Sequence, residues 1–267
     1  MTTESAAAVL VERQGNVLIA TLNRPESRNA VNAAVHVGLG LALEQAETDP
    51  DIRVVIITGA GDQAFCAGAD LKALSRGERL APEDKTQARW GFAGMVQHPI
   101  SKPIIAAVNG FALGGGTELA LASDLVVAAD TASFGLPEVK RGIYAAAGGA
   151  FRLAQQLPTK IAMEYLLTGE PFTAQRAHEL GLVNRVVPAS ELMATALDLA
   201  ARIATNAPLS VQASKRLAMG IVDGAITSDD AFWAQNRKES MTVMTSEDAR
   251  EGPLAFAQKR APVWKAK

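Results

Sequence analysis

Three short runs of apolar and β-branched residues restrict this chain more than any other feature: "RVVIITG" from Arg53, "PIIAAVNG" from Pro103 and "DLVVAAD" from Asp124. A strand with one face in water alternates apolar and polar residues, whereas these runs are apolar without interruption. They suit strands covered on both faces, and the stretches between them read as helical, which is the pattern of a parallel sheet with helical crossovers. A fourth run, "LVNRVVP" from Leu182, joins the set. The expected class is α/β.

The rest of the chain is organised around those runs. "AAVLVERQGNVLIATLNRP" has two apolar stretches on either side of Gln14-Gly15-Asn16 and predicts an opening β-hairpin. From Asn32 to Thr48 the apolar residues recur at helical spacing, with Asn32 as the cap and Asp49-Pro50 as the stop. After Pro188 the β signals end and four helical stretches follow, the first and last opening with a Ser and an acid. The expected division is an α/β core over residues 1–204 and a helical region over 205–267, with "GERLAPEDK" from Gly77 as a mobile loop.

Composition narrows the partners. Lys and Arg number 26 against 28 Asp and Glu, a net charge of −2, so no global basic field favours nucleic acid or a membrane surface. No apolar run reaches the roughly 18 residues of a membrane span, and no Lys or Arg precedes Arg13 to form a signal peptide's basic start. The single cysteine, Cys66, excludes an internal disulfide and a cysteine-built zinc cluster. A cytoplasmic location is expected.

The stretch "NGFALGGGTELALASDL", residues 109–125, places three glycines where a helix is about to begin. Glycine there serves either close helix packing or the approach of a ligand to the backbone. The first N–H groups of a helix lack intrahelical partners, so this stretch is positioned to donate to a ligand oxygen. A second small-residue loop, Ala67-Gly68-Ala69, precedes another helix start in "TGAGDQAFCAGADLKAL". Two such loops can supply two donors to one oxygen, the recipe for an oxyanion hole. Gly59-Ala60-Gly61-Asp62-Gln63-Ala64 also fits G-x-G-x-x-A after a strand, but the acidic residue that should end a second strand about 20 positions on falls in a region without strand pattern.

Two carboxylates stand out. Glu118 lies one turn into the proposed helix, where an acid either complements the helix dipole or serves the site. Glu138, in "SFGLPEVKRG", follows Pro137 among Phe134, Leu136 and Val139, an apolar setting that raises a carboxyl's proton affinity. Motifs for serine hydrolases, P-loop proteins and zinc enzymes are absent. His36, His98 and His178 read as structural, Cys66 as a small buried residue, Phe111, Phe134 and Phe151 as core, and Asp124 as a turn or strand-start residue.

Together these residues resemble the enoyl-CoA hydratase/isomerase (crotonase) superfamily, and within it the hydratases. The resemblance runs over nearly the whole chain, through "LNRPESRNAV", "VVIITGAGDQAFCAGADLKAL", "KPIIAAVNGFALGGGTELALASDLVVAAD", "ASFGLPEVKRGI", "LLTGEPFTAQRAHELGLVNRVVP" and "SEDAREGPLAFAQKR". It implies a spiral of ββα units followed by a C-terminal helical trimerisation region that covers the acyl-CoA site, assembled as a homotrimer or dimer of trimers. It implies an oxyanion hole from the N–H groups of Ala69 and Gly115, and coenzyme A or substrate contacts at Arg28, Ala67, Asp70, Leu71, Lys72 and Gly114. Glu118 and Glu138 become the catalytic pair, Glu118 taking a proton from water and Glu138 giving one to Cα. The substrate is an acyl-CoA thioester, with no metal and no cofactor beyond the coenzyme A that the substrate carries.

The implied activity is enoyl-CoA hydration; the alternatives are another dehydratase or isomerase of the family, or a non-catalytic acyl-CoA binding protein. One departure concerns the substrate: after "EVKRGI" the chain reads "YAAAGGAFRL", where the family's common pattern has a Pro and a Gly-Ala-Gly-Gly run. Tyr144 and the alanines are therefore candidates for lining an altered acyl pocket.

Overall fold

Each uninterrupted apolar run becomes a strand of one large sheet. In the computed structural model, which describes residues 7–267, the chain opens with β1 (Val9–Gln14) and β2 (Val17–Leu22), the expected hairpin turning at Gly15 and Asn16. α1 (Ala33–Thr48) follows, capped by the Asn32 side chain, which accepts the Val35 N–H at 3.0 Å.

Three similar passes come next, each adding a strand to the large sheet, then one to a small sheet, then a helix. The first is β3 (Val54–Gly59), β4 (Ala64–Cys66), α2 (Leu71–Ser75) and α3 (Lys85–Ala88). The second is β5 (Ile104–Val108), β6 (Phe111–Leu113) and α4 (Gly115–Ala122). The third is β7 (Leu125–Ala129), β8 (Ser133–Gly135), a 3₁₀ turn at Pro137–Arg141, α5 (Gly149–Gln156) and α6 (Thr159–Thr168). β9 (Phe172–Thr173), α7 (Ala174–Glu179) and β10 (Arg185–Val187) close the spiral. The large sheet has the order β1-β2-β3-β5-β7-β10, parallel except for the hairpin, and the small one the order β4-β6-β8-β9.

The absence of alternation in the strands has its reason here. Val55, Ile57, Ala106 and Val108 point into the main core between the two sheets and α1, while Val54, Ile56, Ile105 and Ala107 point the other way. That second face is covered by Leu192, Ala196 and Ala200 of α8 (Leu192–Ala204). Each of these side chains larger than alanine contributes roughly 1.5–3 kcal/mol through burial, so neither face tolerates a polar residue.

Beyond α8 lie α9 (Pro208–Met219), a small hairpin of β11 (Ile221–Val222) and β12 (Ala225–Ile226), α10 (Asp230–Thr245) and α11 (Glu247–Ala257). The hairpin corrects the expectation that β structure ends at Pro188. Its turn is Asp223-Gly224, both at positive φ, a strong short-range hairpin signal set between strands of two residues each. Ser246 caps α11 as expected, accepting the Ala249 N–H, but α8 begins after a 3₁₀ turn at Ala189–Glu191 and has no side-chain cap. Phe111, expected in the core, is exposed at the start of β6, whereas Phe134 is fully buried and Phe151 partly so. No described helix is long and apolar enough to cross a membrane.

The helical region is seated on the spiral through two glycines. A Cβ at Gly252 of α11 would strike the Arg141 carbonyl oxygen, and one at Gly142 would strike that of Asp248. The Arg141 guanidinium also lies 4.0 Å over the Phe256 ring. α11 therefore rests directly on the 3₁₀ turn that carries Glu138. Gly252→Val should lower the thermal midpoint by several degrees, roughly the 2–4 °C per kcal/mol of a chain this size, and make the tail after Ser246 the first site of limited proteolysis. Ala257→Val, on the exposed side of the same helix, should do neither.

Candidate active site

The three glycines of the α4 entrance answer to three different neighbours. Gly114, the N-cap, has φ 55° and ψ −122°, a conformation that a side chain disfavours, and a Cβ on it would lie 3.0 Å from Glu138 Oε1. A Cβ on Gly115 would meet the Phe92 ring and lie 3.2 Å from the Cα of Gly68, and one on Gly116 would run into the Cys66 carbonyl. Glycine is thus needed both for packing and to bring backbone against the site. Thr117 fixes the first turn: its hydroxyl donates to the Ala112 carbonyl at 2.6 Å and accepts the Gly135 N–H at 2.9 Å.

The second loop is held by its own backbone. Val31 donates to the Gly68 carbonyl and accepts the Asp70 N–H, forming a parallel bridge opposite Ala69. In such a bridge the residue between the two bonded neighbours turns its own N–H to the other side. Among the described residues no backbone acceptor meets the Ala69 N–H. The Gly115 N–H, at the first helical position, lacks an intrahelical partner by geometry, and its nitrogen lies 3.0 Å from where a Gly68 Cβ would stand. The two loops that sequence reading paired are therefore in contact, with the expected donors on them.

Glu118 is almost fully buried, 4% exposed, which excludes the solvated first-turn role. Its Oε1 accepts the Gly149 N–H at 2.8 Å. Burial first, and then the charge of Glu138, push its carboxyl up to about 8, against the N–H groups of Gly149 and Ala147 and the Arg152 charge, which favour the carboxylate. Burial also pushes Glu138 up to about 7, partly offset by its own N–H. Its buried Oε2 finds no hydrogen-bond partner among the described residues. Both carboxyls thus hold a proton more firmly than a free glutamate, and the Glu138 charge adds to the rise at Glu118.

The remaining candidates divide. Ala67 and Ala69 lie partly buried on the loop, and the Ala67 N–H donates to the Arg28 carbonyl; the Arg28 side chain is exposed nearby. Leu71 and Lys72 are exposed on α2. The Asp70 carboxylate is instead occupied structurally: it caps α2 through the Ala73 N–H and pairs with Arg24 at 2.8 Å. Burial alone would raise its proton affinity, but these partners hold it below the usual carboxylate value. The Tyr144 hydroxyl is likewise engaged, donating to the Asn236 carbonyl at 2.7 Å and lying 2.8 Å from Ser240 Oγ, so that it ties the "YAAAGG" segment to α10.

Several contributors were not read from the sequence. Phe92 sets its ring against Gly115, and Asn29 pins the loop after β3 by donating to the carbonyls of Ala60 and Ala64. Arg24 and Arg152 are also of this kind; nothing in their own segments marks them. Cys66 matches expectation: it is fully buried, and burial pushes its thiol up to about 12, which keeps it from acting as a nucleophile. The histidines are structural, with ring nitrogens on the Gln87 carbonyl for His36, Glu44 and the Gly94 carbonyl for His98, and the Val183 carbonyl for His178.

The family model described as enoyl-CoA hydratase/isomerase matches residues 12–267. A carnitinyl-CoA dehydratase of Proteus mirabilis is 45% identical over 256 residues, spanning 95% of this chain and 97% of that one. Among solved structures, a carnitinyl-CoA hydratase from Mycobacterium avium is 59% identical with a TM-score of 0.96, covering 98% of this chain and all of its own. An enoyl-CoA hydratase from Mycobacterium tuberculosis H37Rv is 46% identical with a TM-score of 0.75, over 98% of this chain and 100% of that one.

The buried carboxyl of Glu118 makes a prediction about stability. Its folded value of about 8 lies above its ordinary 4.5, so between those values the folded state keeps a proton that the unfolded state has released. Its contribution to stability is best below about 4.5 and declines as pH rises toward about 8. Glu118→Gln removes the decline. Its melting temperature, measured against the parent's across that window, should gain progressively with rising pH; a constant offset would show that Glu118 titrates normally.

Proposed function

The chain belongs to the enoyl-CoA hydratase/isomerase family, and we propose that it adds water reversibly across the 2,3 double bond of a 2-enoyl-CoA thioester to give a 3-hydroxyacyl-CoA. The observation that carries this reading is the juxtaposition of a buried glutamate, Glu118, and a half-buried one, Glu138, with the two backbone donors beside the α4 entrance. In this scheme the thioester carbonyl oxygen sits between the N–H groups of Ala69 and Gly115. Glu118 takes a proton from water as the water oxygen bonds to Cβ. The C=C electron pair moves onto the thioester as an enolate, whose oxygen the two N–H groups stabilise. Glu138 then protonates Cα. One such donor is worth about 10²–10³-fold in rate. The addition is redox-neutral, so the proposal calls for no metal and no redox cofactor, and coenzyme A enters as part of the substrate.

The names of the relatives favour a second reading in which the acyl group is carnitinyl, and that of the Proteus mirabilis relative favours dehydration as the working direction. In that direction Glu118 protonates the departing hydroxyl and Glu138 removes the Cα proton, and the raised proton affinity of both carboxyls suits either transfer.

For the helical region over 205–267 we propose assembly into a homotrimer or dimer of trimers and closure of the acyl-CoA site. In support, Leu209, Leu217 and Met241 leave large apolar side chains exposed, and Tyr144 and Asn236 stitch α10 to the "YAAAGG" segment. The coenzyme A portion is proposed to lie along Ala67, Leu71 and Lys72, with Arg28 and Gly114 flanking it.

Loss of the conjugated thioester absorbance, followed over 2-enoyl-CoA esters of increasing length, with its formation from carnitinyl-CoA as the reverse assay, tests both readings. Turnover of one class is expected, and Glu118→Gln and Glu138→Gln should each cut kcat by about 10²-fold or more while thioester binding by calorimetry persists. Near-parental turnover in either variant would remove that glutamate from the mechanism.

A further inference from the structure

Beside the glutamate pair lies a buried cation that the reaction as written does not use. Arg152 of α5 is 5% exposed. Its Nη2 is fixed by two acceptors, the Val96 carbonyl at 2.8 Å and Asp229 Oδ2 at 3.1 Å, and its guanidinium lies 5.5 and 5.6 Å from the ring centres of Phe151 and Trp233. Its Nη1 is buried with no hydrogen-bond partner among the described residues. A buried donor left unmatched costs about 1–3 kcal/mol, so it calls for a reason.

Two adjacent glycines supply one. A Cβ on Gly148 would lie 3.2 Å from Arg152 Nη1, and a Cβ on Gly149 would lie 2.9 Å from Glu118 Oε1. The guanidinium edge and the carboxyl thus approach the same two-residue stretch, and no side chain on it stands between them. The charged or titratable groups facing Glu118 are few. Glu138 comes from the 3₁₀ turn, Cys66 from β4 and Arg152 from α5, while β5, β6 and β8 carry none. Arg152 is the one cation in that set, and a guanidinium stays charged at any working pH.

We propose that Arg152 is a positioning residue that sets how firmly the glutamate pair holds its proton, and that Asp229, at the start of α10, sets how much of the Arg152 charge reaches the pair. The inference rests on the proposed roles of Glu118 and Glu138. It gives the C-terminal helical region an electrostatic part in the site: Asp229 screens the cation, and moving α10 changes the screening.

The two partners predict opposite shifts, which a purely structural role does not. The titration of Glu118 is followed in the substrate-free protein by the infrared band of its protonated carboxyl, assigned by its loss in Glu118→Gln. Arg152→Gln should move that titration upward by about one pH unit, Arg152→Lys should restore most of it, and Asp229→Asn should move it downward. Circular dichroism checks folding. If Arg152→Gln does not fold, the downward shift in Asp229→Asn decides alone. An unmoved titration in the folded variants, or shifts of the same sign for Arg152→Gln and Asp229→Asn, would overturn the proposal. Because no substrate is present, absence of hydratase turnover would count against the proposed reaction without touching this result.

Discussion

Backbone meeting backbone at the entrance to α4 is the constraint on which the rest depends. The Cα of Gly68 stands where a Cβ on Gly115 would have 3.2 Å of room, and the Gly116 position admits no side chain beneath the Cys66 carbonyl. The loops touch without side chains between them, which the proposed placing of two N–H groups on one oxygen requires. Keeping them in contact takes a frame: Val31 holds the Gly68 loop, Asn29 the segment that leads into it through β4, Thr117 clamps the α4 entrance, and the two-sided burial of β3 and β5 fixes the positions of both.

That frame creates an electrostatic tension. Withdrawal from water raises the proton affinity of both carboxyls, and at Glu118 the charge of Glu138 adds to it, with no direct ion pair to relieve either among the described residues. Partial relief comes from the Gly149 N–H and from the cation one layer behind, itself neutralised by Asp229. Carboxyls that hold their protons more firmly than usual are suited to the proton transfers of the proposed addition or loss of water. Stability and chemistry pull in opposite directions at Glu118.

Local signals were legible in the sequence, and long-range ones were not. Uninterrupted apolar runs identified β3, β5 and β7, Asn32 and Asp49 marked the ends of α1, and the glycine run with its glutamate located the α4 entrance, since each depends on neighbours a few residues away. Arg24 pairing with Asp70, and Arg152 with Asp229, join segments far apart in the chain, and no spacing rule brings such residues together. The resemblance therefore placed Asp70 beside the ligand without showing that its carboxylate clamps the loop. β11 and β12 escaped because two residues are too few to show alternation, although Asp223-Gly224 marked the turn. Phe111 read as core by its type alone, while its place at the start of a short strand leaves it exposed.

The central claim is that both glutamates act on one water and one Cα proton. It is tested most directly by incubating a 3-hydroxyacyl-CoA with the protein in heavy-oxygen water containing deuterium oxide and analysing the recovered thioester by mass spectrometry. The account predicts that heavy oxygen at Cβ and deuterium at Cα enter together, and that both stop when either Glu118 or Glu138 becomes glutamine. Deuterium entering at Cα without heavy oxygen at Cβ would contradict it, because proton transfer would then proceed without addition or loss of water.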